Sequence, residues 1–126
     1  MDAIAAAGAA VLAALRAAGV RAFDQVPPGA GLPYVTLTAV QELPDEDDPC
    51  LGGGCELYVT LNAWAAPDTV LSVSPTVRAV RAALRHLAVP GFEVVVQDAL
   101  ESRIERVPGD QYARAVMTLR LELAPA

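Results

Sequence analysis

The chain of 126 residues contains no lysine, one histidine, one tryptophan and two cysteines, and only 5% of its residues are aromatic. All nine basic residues are arginines set against 15 acidic residues, so the net charge is −6. This deficit of positive charge argues against a nucleic-acid-binding protein, which needs a clustered basic surface. No apolar run approaches the roughly 20 residues of a membrane-spanning helix. Asp2 stands where a secretion signal would carry positive charge, so we expect a protein that is soluble and cytoplasmic when it is synthesised.

Apolar residues make up 54% of the chain and charged residues 19%, a balance that excludes intrinsic disorder as the main state. At this length folding hides roughly two-thirds of the surface of the unfolded chain, so we expect one domain over residues 1–126 that folds without cross-links. The excess of acid is local. Residues 1–63 hold two arginines and eight acidic residues, whereas residues 64–126 hold seven of each.

Hydrophobic periodicity predicts two helices and about five strands. Residues 3–18 form the first helix, which Asp2 can cap, and Ser74 and Pro75 begin a second helix that runs to residue 87. The second helix has an alternative start near residue 68, with a kink at Pro75. The strands cover residues 34–40, 55–64, 92–98, 100–107 and 111–123, after a short extended stretch at residues 20–26.

The order of these elements predicts an α+β fold, with one mostly antiparallel sheet and both helices on one of its faces. Strand 92–98 is apolar almost throughout, which predicts a central position in the sheet. In strand 34–40, Val35, Leu37 and Ala39 point to one face of the sheet. Alternation in strands 55–64 and 111–123 leaves the face opposite the helices open, and we expect a partner to bind there. Its candidate interface residues are Tyr58, Trp64, Arg114 and Arg120.

A stripe of arginines on the second helix, away from its apolar residues, is a second candidate surface. Its members are Arg78, Arg81 and Arg85. The stripe either contacts acidic residues of a neighbouring subunit or forms a solvated helix face. Trp64 also has two interpretations, because it is either an interface hot spot or a residue that packs under the loop after its strand.

Residues 41–54 form the longest interruption of the pattern, and we predict a long flexible loop. Its acidic run consists of Asp45, Glu46, Asp47 and Asp48. The spacing of this run does not match a calcium-binding loop, so we expect a solvated acidic segment that meets the basic surface of a partner. The glycines at residues 52–54 lack the lysine and hydroxyl residue of a phosphate-binding loop, which excludes a nucleotide site of that kind.

Cys50 and Cys55 flank those glycines, but a zinc site needs four ligands and the only other soft ligand is His86. A disulfide is disfavoured in a reducing cytoplasm, which leaves Cys55 as a small buried strand residue and Cys50 as a loop residue. His86 lies late in the second helix, where a cation is favourable, and no nucleophile is paired with it. We therefore predict no metal, no cofactor and no catalytic residue, and interpret the chain as an assembly subunit that is not an enzyme.

Four segments carry a resemblance to one family through their order and spacing. They are residues 15–20 followed by Phe23-Asp24-Gln25-Val26-Pro27, the strand opening Leu32-Pro33-Tyr34-Val35-Thr36-Leu37, the strand Glu56-Leu57-Tyr58-Val59-Thr60-Leu61-Asn62-Ala63-Trp64, and the helix Val77-Arg78-Ala79-Val80-Arg81-Ala82-Ala83-Leu84. Across nearly its whole length the chain resembles the tail-completion, or tail-terminator, family of long-tailed phages and phage-derived gene transfer agents. It departs from the family at residues 70–75, where the family has an uninterrupted helix.

The resemblance implies an α+β subunit of a six-membered ring at the head-proximal end of a tail tube. Such a ring stops polymerisation of the tube and offers a surface to the head connector. The implied partners are further copies of the chain, the major tail tube protein and a head-completion or connector protein, with DNA passing through the ring and no membrane or sequence-specific nucleic-acid contact. The implied location is the bacterial cytoplasm during assembly and then the head–tail junction of the particle.

An alternative function is kept beside this one. In it the chain is a small ligand-binding α+β domain of a soluble homo-oligomer, and an apolar metabolite lies on the open sheet face. The oligomeric state and any small molecule bound to the purified protein distinguish the two hypotheses.

Overall fold

The computed structural model describes residues 2–43, 55–98, 100–107, 109 and 112–126. Two α-helices and a sheet of six strands make an α+β fold, which confirms the predicted fold class. The elements follow in the order α1 (Ala3–Ala17), β1 (Ala22–Phe23), β2 (Tyr34–Leu43), β3 (Cys55–Ala65), a 3₁₀ helix (Val70–Val73), α2 (Ser74–Ala83), β4 (Phe92–Gln97), β5 (Glu101–Arg106) and β6 (Ala113–Pro125). None of the helices in the described part of the chain is long and apolar enough to cross a membrane.

Helix α1 begins where the sequence predicts it, because Asp2 caps its N-terminus. An oxygen of the Asp2 carboxylate accepts a hydrogen bond from the backbone N–H of Ala5 at 2.7 Å. This bond satisfies one of the free N–H groups of the first turn. The apolar residues Val11 and Leu15 are fully buried against the sheet, so the apolar face of the helix attaches it to the core.

Helix α2 ends at Ala83, whereas the sequence pattern predicted an end at residue 87. The side chain of Gln97 explains the early end, since its amide nitrogen donates to the carbonyl of Leu84 and its amide oxygen accepts from the N–H of Leu87 at 3.2 Å. A strand residue thus provides the hydrogen bonds that a further helical turn would have made. His86 and Arg85 lie beyond the helix as a consequence, which corrects their predicted placement within it.

The start of α2 resolves the two alternatives of the sequence pattern. The helix begins at Ser74 with Pro75 in its first turn, where a proline needs no backbone N–H. The residues before it form the separate 3₁₀ helix, which Thr69 caps by accepting a hydrogen bond from the N–H of Leu71 at 3.2 Å. The departure of residues 70–75 from an uninterrupted helix is therefore a real feature of the fold.

The sheet has the strand order β1-β2-β3-β6-β4, and β5 also pairs with β6. Only the β1–β2 pair is parallel among the strand pairs of the described residues. β4 pairs with residues 121–125 of β6 and β5 with residues 113–118, so the two strands lie end to end along the same edge of β6. The predicted central position of the apolar strand is therefore wrong. At this edge a register shift between Val94 and Val96 leaves Val95 58% exposed.

Strand β2 differs from its prediction in two ways. A register shift between Leu37 and Ala39 reverses the alternation, so that Val40 packs against the core while Ala39 is exposed. A β-bulge of this kind inserts one residue and moves the following side chains to the other face. The strand also continues to Leu43, which means that the predicted loop cannot begin at residue 41. Residues 44–54, with the predicted acidic run and Cys50, lie outside the described residues.

The core lies between the helices and the two longest strands. Its alternating residues are at most 1% exposed from Leu57 to Ala63 in β3 and from Ala113 to Leu123 in β6, and Cys55 is 5% exposed. The sequence pattern predicted this alternation. The buried residues include Leu57, Val59, Leu61, Met117, Leu119 and Leu121. Each such side chain stabilises the fold by about 1.5–3 kcal/mol through burial. This layer therefore attaches one face of the sheet to the helices, and the polar residues lie on the other face.

Candidate interaction surface

We define the open face as the side of the sheet that points away from the helices. Tyr58 of β3 lies directly opposite Arg120 of β6, and Trp64 of β3 lies directly opposite Arg114 of β6. All four side chains are half-buried. The structure therefore brings the four residues predicted for this face together, in two cross-strand pairs at opposite ends of the β3–β6 ladder.

The first pair belongs to what we call the Arg120 cluster, which consists of Arg120, Glu56, Tyr58, Asp98 and Glu122. The guanidinium of Arg120 donates to the carboxylates of Glu56 at 2.8 Å and Asp98 at 3.2 Å, and also to that of Glu122. The hydroxyl of Tyr58 donates to the same oxygen of Glu56 at 2.8 Å. One cation thus ties together residues from β3, β6 and the segment after β4.

These contacts shift the acid–base behaviour of the Arg120 cluster. Hydrogen bonds from Arg120 and then Tyr58 lower the pKa of Glu56, and the same carboxylate raises the pKa of Tyr58. The surrounding carboxylates raise the pKa of Arg120 above its usual value. Three carboxylates surround one guanidinium, so the cluster has a surplus of negative charge. The side chains of Asp98 and Glu122 are 55% and 39% exposed and present that surplus to solvent.

The second pair belongs to what we call the Trp64 cluster, which consists of Trp64, Arg114, Glu105, Tyr112 and Thr36. The ring of Trp64 meets that of Tyr112 edge-on at 5.6 Å between centroids, and the guanidinium carbon of Arg114 lies 5.6 Å from the Trp64 ring. The indole N–H donates to the hydroxyl of Thr36 at 3.1 Å. These contacts orient Trp64 across the open face while leaving part of its ring accessible.

Arg114 links the Trp64 cluster to the sheet edge. Its Nε donates to the carboxylate of Glu105 in β5 at 3.0 Å, and a second nitrogen donates to the same oxygen. This double contact lowers the pKa of Glu105. An arginine that donates two hydrogen bonds to one carboxylate keeps a defined orientation, which suits a surface that must fit a partner.

Asn62 is a residue of the open face that the sequence analysis missed. Its side chain is in the middle of β3 and only 8% exposed, and its amide nitrogen donates to the hydroxyl of Thr38 at 2.6 Å. The side-chain oxygen is buried without a hydrogen-bond partner among the described residues. The signal in the sequence was an asparagine in the centre of an alternating strand. Such a side chain needs hydrogen-bond partners when it is buried, so its position could have marked Asn62 for attention.

The predicted arginine stripe is divided by the structure. Arg78, Arg81 and Arg85 are all exposed, but Arg85 lies beyond the end of α2. Arg81 donates to the carbonyl of Leu100 at 3.1 Å and to the hydroxyl of Ser102 at 3.0 Å, which anchors it to the beginning of β5 and the residue before it. Arg81 and Arg85 border a common cavity, whereas Arg78 does not.

The residues with nucleophilic or ligand chemistry are placed apart. Cys55 is buried on the helix side of the sheet, where burial and then the charge of Glu42 raise the pKa of its thiol. His86 borders an apolar groove of about 520 Å³ between α1 and residues 86–90. Across the described ranges, no three histidine, cysteine or acidic side chains are grouped so that they could hold a metal ion. The ion pairs of the open face also give it a polar surface that does not suit an apolar metabolite.

Comparison with known proteins identifies a family and a similar solved structure. The model of a family described as tail completion protein gp17 matches residues 2–122. Among solved structures, the chain is similar to one chain of the "Virion of native gene transfer agent (GTA) particle", with a TM-score of 0.75 and 25% sequence identity over 97% of this chain and 98% of that chain. The search of curated proteins found no match.

Proposed function

The chain belongs to the tail completion protein gp17 family and is a structural protein of a phage-like tail, and from this premise we propose that it forms a six-membered ring. In this proposal the ring ends the tail tube at the head–tail junction and joins it to a connector protein of the head. The subunit is an assembly part without catalytic activity. Its partners are further copies of itself, the tail tube protein and the connector, and DNA passes through the ring.

The residues of the open face are the observation that supports a contact between subunits. Tryptophan, tyrosine and arginine are enriched at protein interfaces, and Trp64 and Arg114 are already oriented by Tyr112, Thr36 and Glu105. A face that is oriented in advance loses little conformational entropy when a partner binds. Contact between this face and a different surface of the next copy is heterologous, and a heterologous contact that closes on itself produces a ring.

The mass of the purified chain in solution is the first test. Light scattering after size-exclusion chromatography, alone and with tail tube protein, should give a particle six times the 13.1 kDa of one chain. Tubes assembled in vitro should stop growing when the chain is added. A chain that remains monomeric under both conditions and leaves tube length unchanged would contradict the ring.

A pair of aromatic substitutions tests the role of the open face. Trp64→Ala should raise the concentration needed for ring assembly by about tenfold or more, because it removes an interface hot spot. Phe92→Ala is the matched control, since Phe92 packs against the core and its loss should lower stability without a specific loss of assembly. If Trp64→Ala assembles normally and only melts at a lower temperature, Trp64 belongs to the folding core.

The ligand-binding alternative has one observation in its favour, the apolar groove between α1 and residues 86–90. Native mass spectrometry of the purified chain tests it directly. A bound small molecule that is lost in the variant Ala13→Leu would support ligand binding, because Ala13 is an exposed residue that lines the groove. A free chain that assembles into the ring would support the structural role.

A further inference from the structure

We infer that the cavity where β4 passes into β5 binds a carboxylate side chain from a neighbouring copy of this chain. The cavity holds about 240 Å³ and lies between the end of α2 and the edge of the sheet. Arg81 and Arg85 form its basic wall. Its apolar floor consists of Leu84, Leu100 and Leu119.

The two arginines of the wall differ in how they are held. Arg81 is anchored by its bonds to the Leu100 carbonyl and the Ser102 hydroxyl, so its guanidinium has a defined position beside the cavity. Arg85 makes no hydrogen bond or ion pair with the residues that the structure describes. A guanidinium has five N–H donors and no acceptor, so most of the donors in this wall are available to an anion.

The remaining polar groups of the cavity are already occupied. The Gln97 amide bonds the carbonyl of Leu84 and the N–H of Leu87, as described above. The carboxylate of Asp98 accepts from Arg120 at 3.2 Å, which directs its negative charge toward the open face. The charged residues that line the cavity are two arginines and this one aspartate, so the lining keeps a net positive charge.

This combination selects a carboxylate on a short side chain. An arginine pair binds the planar carboxylate through several charge-assisted hydrogen bonds, and the leucine floor accepts the methylene groups of the side chain. The densest acidic run of the chain is Asp45, Glu46, Asp47 and Asp48, which lies outside the described residues. Charge complementarity therefore favours the acidic run of a second copy as the occupant.

This contact would add a specific interaction to the proposed ring. Its placement between neighbouring copies rests on that proposed function. A ring needs two different surfaces on each subunit, one for each neighbour. In this arrangement the arginine cavity receives one neighbour, and the acidic run reaches the cavity of the other. Binding of a carboxylate in the cavity does not itself require a ring, so the two can be tested separately.

The test measures binding of a peptide that corresponds to residues 44–49. The acceptor is the full chain with Asp45→Asn, Glu46→Gln, Asp47→Asn and Asp48→Asn, so that its own acidic run does not compete. Binding is measured by calorimetry or fluorescence anisotropy at low salt. Arg85→Gln should weaken binding by about tenfold, the effect of losing hydrogen bonds to a charged group.

Arg78→Gln is the matched control, because Arg78 is an exposed arginine of α2 that does not border the cavity. It should change the affinity by less than about twofold, in line with an exposed charge. A peptide with asparagine and glutamine in place of the acidic residues should not bind.

Two results would overturn the inference. One is the absence of peptide binding, and the other is an equal loss of affinity in the Arg78 and Arg85 variants, which would show a diffuse electrostatic attraction. Light scattering of the unmodified chain tests ring formation independently of peptide binding. Peptide binding that depends on Arg85 in a chain that never forms a ring would support the cavity and contradict the ring, whereas ring formation without peptide binding would do the reverse.

Discussion

Glu56 and Arg120 are separated by 64 residues in the sequence, yet the Nε atom of Arg120 donates to a carboxylate oxygen of Glu56 at 2.8 Å. The antiparallel pairing of β3 with β6 brings the two residues onto neighbouring positions of the open face. Glu105 and Arg114 form the corresponding ion pair between β5 and β6. These two contacts connect three strands through groups whose charge depends on pH.

The first prediction concerns that pH dependence. The folded protein lowers the pKa of Glu56 and of Glu105, so each carboxylate stabilises the fold above the pKa that it has in the unfolded chain. This stabilisation is lost as the pH falls through the lower pKa of the folded state. We expect Glu56→Gln/Glu105→Gln to be less stable than the unmodified chain at pH 7 and to lose less additional stability between pH 7 and pH 3.

Urea denaturation at several pH values measures this difference. Glu101→Gln is the control, because Glu101 is an exposed residue of β5 with no ion pair among the described residues. It should follow the pH dependence of the unmodified chain. Parallel stability curves for the double variant and the unmodified chain would show that the two ion pairs contribute nothing to acid sensitivity.

The second prediction concerns Gly8, a buried glycine in the middle of α1. A Cβ atom at this position would lie 3.4 Å from Leu37 and 3.9 Å from Val40, which are ordinary contact distances. Gly8→Ala should therefore stabilise the protein by about 0.5–1 kcal/mol, since alanine loses less backbone entropy in a helix. Gly8→Leu should destabilise it, because a larger side chain does not fit between helix and sheet.

Thermal melting distinguishes the outcomes at Gly8. A lower melting temperature for Gly8→Ala would show that α1 approaches the sheet too closely for even one methyl group. A higher melting temperature for Gly8→Leu would show that the contact between helix and sheet is loose.

The third prediction compares two aliphatic residues that the sequence pattern treats alike. Leu61 is fully buried in β3, so Leu61→Ala should cost about 2–5 kcal/mol through lost burial and the cavity left behind. Val95 is exposed at the register shift of β4, so Val95→Thr should change stability by less than about 0.5 kcal/mol. The free energy of unfolding in urea measures both. A large loss for Val95→Thr would place that side chain inside a packed layer.

Local patterns of the sequence determined much of the fold. The strict alternation of residues 55–64 and 111–123 predicted which side chains of β3 and β6 are buried, with the exception of Asn62. It also placed Tyr58, Trp64, Arg114 and Arg120 on one face. Asp2 was predicted as the cap of α1 from its position alone. These features follow from the periods of strand and helix, which act over a few residues and are visible in the sequence.

Contacts between distant residues decided the rest. Strand β4 lies at an edge because β5 and β4 share one side of β6, and an apolar run is compatible with either an edge or a centre. Gln97 of β4 ends helix α2 by a hydrogen bond to its C-terminal residues, and Asp98 accepts a hydrogen bond from Arg120 of β6. The pairing partners of a strand and the hydrogen bonds of its side chains depend on how the whole chain packs. The sequence by itself therefore determined the elements and their faces, while the tertiary structure decided the strand order, the ion pairs and the arginine cavity.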